Sequence, residues 1–311
     1  MKLLSMDDYA KIAVAMGRLI QLTITGGSPD LRDDTAEIVT IFQRFCQPGN
    51  VTYCTNGGNT KQIIKHTQKI LDQNDHLNLT VDISLDGLNG QLDGLRGCKG
   101  LFDNLRETYK ELGVLKSHYN HRLRVGCGIC VSGLNHQTAV DTAEWALANL
   151  PLDNLTPILV RGEPRNAEAL NTSVEVFKTI AKMTELKLKS GKLKGYSFLP
   201  ALINAKDIVQ KRVIAEIYQG REKYFRCYAS RAIAVIYPDG TIPGCEIREE
   251  VLGSLTETGM RFDEIWRGEK AAEFRQRIWT DKCQCYHQCY LSVNMMRSKR
   301  MMLRVMKELL V

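Results

Sequence analysis

A parallel α/β fold, built as a partial (β/α) TIM-like barrel with a small cysteine-rich domain behind it, follows from three features of the chain. Strand-like and helix-like segments alternate roughly every thirty residues up to about residue 165, the period of a βαβ unit. The strands have one apolar and one polar face. Five of the ten cysteines fall in the last third.

Taken in order, Ser5 followed by Asp8 forms a capping-box start to a helix over about Met6 to Arg18. QLTITGG (21–27), NVTYCTNGG (50–58) and LTVDISLDG (79–87) alternate apolar and polar residues and run into glycine, so each reads as a strand. Helical segments follow at Asp33 to Cys46, Lys61 to Asp72 and Leu101 to Leu112, with weaker strands at Arg122 to Val131 and Pro157 to Arg161. Alternation of this kind implies a parallel sheet with right-handed crossovers.

The faces distinguish an open doubly wound sheet from a barrel. Val81, Ile83 and Leu85 share one side of their strand and Asp82, Ser84 and Asp86 the other; Leu22 and Ile24 likewise oppose Gln21, Thr23 and Thr25. A sheet covered by helices on both sides should be apolar on both. One polar face fits a barrel packed on helices outside and holding a polar ligand inside, with strand-end glycines letting backbone approach it. A structural network of threonines and aspartates is the alternative.

Composition describes an ordinary globule. The opening MKLLSMDDYA has no leader pattern and no stretch approaches about eighteen apolar residues, so a cytoplasmic protein without a membrane span is expected. The net charge of +7 concentrates at Lys182, Lys187, Lys189, Lys192 and Lys194 and again at Arg297, Lys299, Arg300, Arg304 and Lys307. Both runs read as solvated helix faces, and no aromatic residues interleave in a nucleic-acid pattern. In a reducing compartment clustered thiols point to a metal rather than to disulfides.

Towards the end, Ile233, Val235 and Tyr237 alternate into the turn Pro238-Asp239-Gly240, and the chain returns through Ile242 to Cys245, which reads as a hairpin. CGIC at 127–130 is a poor metal knuckle, because odd separation in a strand sends Cys127 and Cys130 to opposite faces. Cys46, Cys54 and Cys98 are isolated and read as small core hydrophobes.

Two stretches carry a family resemblance. LTITGGSP resembles the second strand and glycine loop of radical S-adenosylmethionine (SAM) enzymes, and TNG (55–57) with ISLDG (83–87) resembles their third and fourth strand ends, in the same order and spacing. The resemblance extends along most of the chain. It implies a barrel of the radical SAM type, SAM contacts at Gly26, Gly27, Ser28, Pro29, Thr55, Asn56, Ser84 and Asp86, and reductive cleavage of SAM to a radical that abstracts hydrogen from an enclosed substrate, often a peptide or protein in such relatives and in some a small molecule, with an external donor such as flavodoxin or ferredoxin. Two departures stand out. No C-x3-C-x2-C is present, and Ser28 occupies a position where the family usually has Glu. Because the capped helix resembles the one that follows the family's first strand, a preceding segment carrying that triplet is expected in a longer gene; loss of the triplet, leaving a catalytically silent iron–sulfur scaffold, is the alternative.

Cys227, Gly240 and Cys245, then LGSLTE (252–257), FDEIW (262–266), a helix to about Arg277 and CQCYHQC (283–289) resemble the SPASM or shortened twitch module. The resemblance implies one auxiliary 4Fe-4S cluster with five cysteines for four places: Cys227, Cys245 and Cys289, with Cys283 and Cys285 contesting the fourth. Tetrahedral zinc is the alternative. His287 reads as a neighbour of the ligands, not a ligand. The expected segments are a partial barrel over 1–200, an iron–sulfur domain over 221–295 and a basic amphipathic helix over 296–311.

Overall fold

The computed structural model describes residues 3–197, 199–248 and 250–310. In chain order the elements begin with α1 (Met6–Met16), β1 (Gln21–Ile24), α2 (Thr35–Cys46), β2 (Asn50–Thr55), α3 (Thr60–Gln73), β3 (Leu79–Ser84), α4 (Gly90–Arg96), α5 (Leu101–Tyr119), β4 (Leu123–Val131), α6 (Ala139–Asn149) and β5 (Asn154–Leu159). There follow α7 (Val174–Lys189), α8 (Pro200–Tyr218), β6 (Thr241–Pro243), β7 (Val251–Ser254), α9 (Phe262–Arg267), α10 (Glu269–Thr280), α11 (Gln288–Met296) and α12 (Lys299–Leu309). Two compact units result. One comprises Ile20–Gln43 and Pro48–Asn204; the other gathers the N-terminal helix, Arg44–Gln47 and the chain from Ala205 onward. Among the described residues no helix is long and apolar enough to cross a membrane.

The first unit is a five-stranded sheet in the order β1-β2-β3-β4-β5, every pair parallel. An order that never reverses, joined by right-handed crossovers, puts the connecting helices on one face. That face is the apolar one: Val51 and Tyr53, Leu79, Val81 and Ile83, Val125 and Cys127, and Leu155 are all buried and lie side by side in register. The sheet ends at two edges, β1 and β5, so the mixed α/β fold is an open parallel array and no closed barrel forms.

The opposite face is polar and partly exposed. Near the strands' amino ends its side chains bond to one another: Gln21 Nε2 donates to Thr52 Oγ1 at 3.3 Å, Asn50 Nδ2 to the same oxygen at 3.3 Å, and Thr80 Oγ1 to Asn50 Oδ1 at 3.4 Å. This half is the structural threonine network. Towards the carboxyl ends the face carries Cys54, Asp82, Ser84, Gly128 and Cys130. Gly126 lies under Asp82, where an added Cβ would meet Asp82 Oδ1 at 2.5 Å, so only glycine lets the carboxylate cross to the next strand.

Several boundaries move for identifiable reasons. Strand β5 starts at Asn154, before the expected Pro157, and proline is tolerated inside it because β5 is an edge. Helix α5 continues beyond Leu112 to Tyr119, with Gly113 leaving room for Pro151. The expected hairpin is corrected. Its turn exists, with Tyr237 N–H bonded to Thr241 O and Gly240 N–H to Tyr237 O, both at 2.9 Å, but 233–237 forms no strand. Instead β6 pairs antiparallel with β7, because Ile242 and Leu252 are buried there and Gly253 lets Ile265 of α9 close over the ladder.

In this second unit the capping box of α1 is formed, Ser5 N–H donating to Asp8 Oδ2 at 2.9 Å and Asp8 N–H to Ser5 Oγ at 3.3 Å, and α1 packs on α9. The basic run on α12 is largely tied down: Arg304 pairs with Glu216 at 2.8 Å and with Glu222 at 2.7 Å, and Arg300 pairs with Glu222 at 2.5 Å.

The amino ends of β4 and β5 are pinned by Asp153. Its buried carboxylate accepts Val125 N–H at 2.9 Å, Lys116 Nζ at 2.8 Å and Arg124 Nη1 at 3.6 Å. Asp153→Ala strands these donors and should cost about 3–5 kcal/mol of stability. Urea unfolding checks this, and a loss below about 1 kcal/mol would contradict the pinning role.

Candidate metal centre

Four thiols of the second unit lie within electrostatic reach of one another. Cys227 is influenced by Cys245 and Cys283, Cys283 by Cys245, and Cys285 by all three, so every pair among the four interacts electrostatically. Cys227 and Cys245 are buried, Cys283 and Cys285 partly so. Burial first, then mutual proximity, raises the thiols of Cys227, Cys283 and Cys285, the last to about 12. Among the described residues no three His, Cys, Asp or Glu side chains stand in a group that could hold a metal ion.

Each sulfur faces a donor. Ala229 N–H and the Asn294 amide point at Cys227, Ile247 N–H lies 3.4 Å from Cys245 Sγ, Arg248 bonds Cys283, and His287 N–H bonds Cys285. Three of these donors are the backbone N–H two residues after the cysteine, a local turn that favours thiolate over thiol. Such donors also tune the potential of a cluster held on the sulfurs. Soft sulfur ligands with N–H donors therefore fit an iron–sulfur cluster or zinc.

The elements bring the sulfurs together by close packing. Trp279 Nε1 at the end of α10 donates to Cys227 O at 2.6 Å, and Asn294 Oδ1 of α11 accepts Tyr228 N–H at 2.8 Å. Gly244, before Cys245, admits the Phe274 ring, which a Cβ there would meet at 2.7 Å. Cys283 N–H caps α10 through Ile278 O at 2.9 Å. His287 is buried, its Nε2 3.1 Å from Glu246 Oε2 and its ring edge-on to Tyr290 at 4.8 Å. It supports the site rather than joining it.

Cys289 lies exposed in the first turn of α11, within electrostatic reach of Lys206. Cys283 and Cys285 both lie within electrostatic reach of Cys227 and Cys245.

At the strand ends the residues singled out by resemblance divide. Gly26 and Gly27 are exposed, and a Cβ on either would meet nothing within 4 Å. Ser84 sits half-buried on the polar face. Pro29 opens a short 3-10 turn and is buried, and Asn56 Oδ1 closes its own loop on Gly58 N–H at 2.8 Å. Ser28 and Thr55 both turn onto Asp30, whose Oδ1 accepts each hydroxyl at 2.5 Å. Asp86 is also engaged: its oxygens accept Cys130 N–H at 2.8 Å and the Arg96 guanidinium, and its carbonyl accepts Asn135 Nδ2 at 2.9 Å. Cys127 is buried on the helix-facing side, where burial pushes its thiol up, while Cys130 lies on the other side, as their spacing requires.

Sequence reasoning missed Asp30, Asn294, Arg248 and Trp279. An acid or amide in a loop or on a helix carries no local signal of the partner it will meet. Against known proteins, residues 227–290 match SPASM, described as an iron-sulfur cluster-binding domain. No curated protein matches the chain. The match supports the C-terminal iron–sulfur domain and covers none of the parallel sheet.

Thr55→Val removes one hydroxyl from the buried Asp30 carboxylate at little change of shape. It should lower stability by about 1.5–3 kcal/mol, the range for hydrogen bonds to a charged group. An unchanged urea midpoint would show that Asp30 does not organise this loop.

Proposed function

We propose that Cys227, Cys245, Cys283 and Cys285 hold one 4Fe-4S cluster, and that the chain is a cytoplasmic radical SAM-type protein whose parallel sheet is the family's partial barrel. The observation that carries the cluster is that four thiols within electrostatic reach of one another, each with its own donor, fall in the stretch that matches the iron-sulfur cluster-binding domain. When bound, the cluster supplies one-electron chemistry. The protein's part is to hold the sulfurs as thiolates through the N–H groups of Ala229, Ile247 and His287 and the side chains of Asn294 and Arg248, and to limit water around Cys227 and Cys245 by burial. A flavodoxin- or ferredoxin-like carrier is the electron source, and a peptide or protein is the substrate class.

SAM is assigned to the carboxyl ends of the strands, where ligands of such folds sit. Three features support the placement: the unobstructed Gly26-Gly27 backbone, the polar strand face reaching Ser84, and the ordered loops on either side. Asp86 acts as a positioning residue, joining β3 to β4 through Cys130 N–H. One observation favours a second reading, a catalytically silent iron–sulfur scaffold: the Ser28 hydroxyl is spent on Asp30 and offers its oxygen inward.

Anaerobically purified protein should contain about four irons per chain. Cys227→Ser, Cys245→Ser, Cys283→Ser and Cys285→Ser should each lose the cluster, whereas Cys289→Ser and Cys127→Ser should keep it. Stoichiometric zinc, or loss of iron only on mutating Cys289, would overturn the ligand set.

SAM binding decides between the two readings. Calorimetry should show SAM bound by the parent protein and weakened about tenfold or more by Gly27→Val, whose side chain enters open space and leaves the melting temperature unchanged. Absence of SAM binding by the iron-loaded parent would favour the scaffold.

A further inference from the structure

Beside the thiols lies a group of cations that the thiol site does not need. Arg226 and Arg231 stack on the Trp279 ring, 4.6 and 4.5 Å from its centroid, and Arg297 stacks on Tyr228 at 5.0 Å. The two rings meet edge to face at 6.1 Å. All three arginines are exposed, and among the described residues none has a carboxylate partner. Other arginines of the same unit do: Arg212 with Glu308, Arg248 with Asp281, Arg277 with Glu250, Arg300 with Glu222 and Arg304 with Glu216. Arg275 adds a further positive charge close to Arg231, enough to lower its own pKa after the effect of burial.

Clustered like charges repel, so leaving these three unneutralised costs stability that surface acids would recover cheaply. Aromatic faces hold the guanidinium groups in place, which lowers the entropy lost on meeting an anionic surface. The patch is also adjacent to the proposed cluster. Arg226 and Tyr228 flank Cys227, and the ring shared by two of the arginines donates its N–H to Cys227 O.

From this we infer that Arg226, Arg231 and Arg297 form the docking surface for an acidic one-electron carrier protein that reduces the C-terminal cluster; the inference rests on the cluster reading above. One electron leaves the reduced carrier and enters the cluster, so the carrier is oxidised and the cluster reduced by one, with no bond made or broken and no proton moved. Cations stacked on rings next to Cys227 suit a brief, charge-steered redox encounter, whose interfaces are small.

The test uses the intact iron-loaded chain and a reduced, acidic plant-type ferredoxin as probe. Stopped-flow reduction of the cluster should slow with added salt. Changing all three residues together, Arg226→Gln, Arg231→Gln and Arg297→Gln, should slow it about tenfold to hundredfold at low ionic strength. The same variant should keep its iron and react with dithionite at the parent rate, and lysines at the three positions should restore part of the ferredoxin rate. Calorimetric binding of oxidised ferredoxin should weaken in parallel. Iron-loaded protein whose glutamine variant reacts with ferredoxin as fast as the parent overturns the docking surface alone. A glutamine variant that loses iron or slows with dithionite, while the lysine variant does the same, overturns it too, since the arginines would then be structural. Binding of a poly-glutamate peptide lost in the variant without any change in ferredoxin rate assigns the patch to an acidic peptide and also overturns it. Protein without iron overturns the cluster reading and this inference with it.

Discussion

Cys227, Cys245, Cys283 and Cys285 come from three stretches of chain, and each reaches their shared volume by a different local device. Trp279 fixes the carbonyl of Cys227, Gly244 admits Phe274 beside Cys245, and the capped end of α10 releases the chain towards Cys283 and Cys285. Remove the convergence and these features lose their common purpose. Four thiols with polar donors make an indifferent apolar core, whereas a cluster held by four thiolates, as proposed, would join all three stretches and turn its binding energy into folding energy. The paired α12 arginines and the α1–α9 packing support the unit from outside this centre.

The parallel unit obeys a separate constraint. Strand order without reversal sends the connecting helices to one face and leaves the other polar and partly exposed. Along that second face the polar side chains change role. Gln21, Asn50, Thr52 and Thr80 satisfy one another at the amino ends, and small residues and carboxylates take over towards the carboxyl ends. Loops close to these ends are braced from within: Asp30 collects Ser28 and Thr55, and Asp86 collects Arg96 and Cys130. Bracing of this kind preorganises a site, yet it also consumes groups that the family resemblance assigned to the ligand.

Much of the parallel unit was legible because strand parity is a local property. Val81 and Ile83 against Asp82 and Ser84, and Cys127 against Cys130, need only a period of two to be placed on their faces. Proximity of Cys227 to Cys245 was also legible, though by the wrong route: β6 pairs onward with β7, since burial of Ile242 and Leu252 outweighs the alternation of the half-buried 233–236 arm. Choosing between Cys283 and Cys285 was not, because they are two residues apart in a stretch without regular structure and both lie within electrostatic reach of Cys227 and Cys245. Helices α6 and α8 carried too little periodic signal. Helix α8 is the clearest case, buried on nearly every side, with Asp207 and Lys211 paired at 2.5 Å where a sequence reading expects solvent.

Anomalous scattering from crystals of anaerobically prepared protein, recorded on both sides of the iron absorption edge, addresses the central claim most directly. One compact iron peak is expected in the C-terminal unit, enclosed by the sulfurs of Cys227, Cys245, Cys283 and Cys285, with Cys289 outside its coordination sphere. Density at that position that persists below the iron edge and rises only at the zinc edge, or an iron peak bonded to Cys289 in place of Cys283 or Cys285, would contradict it.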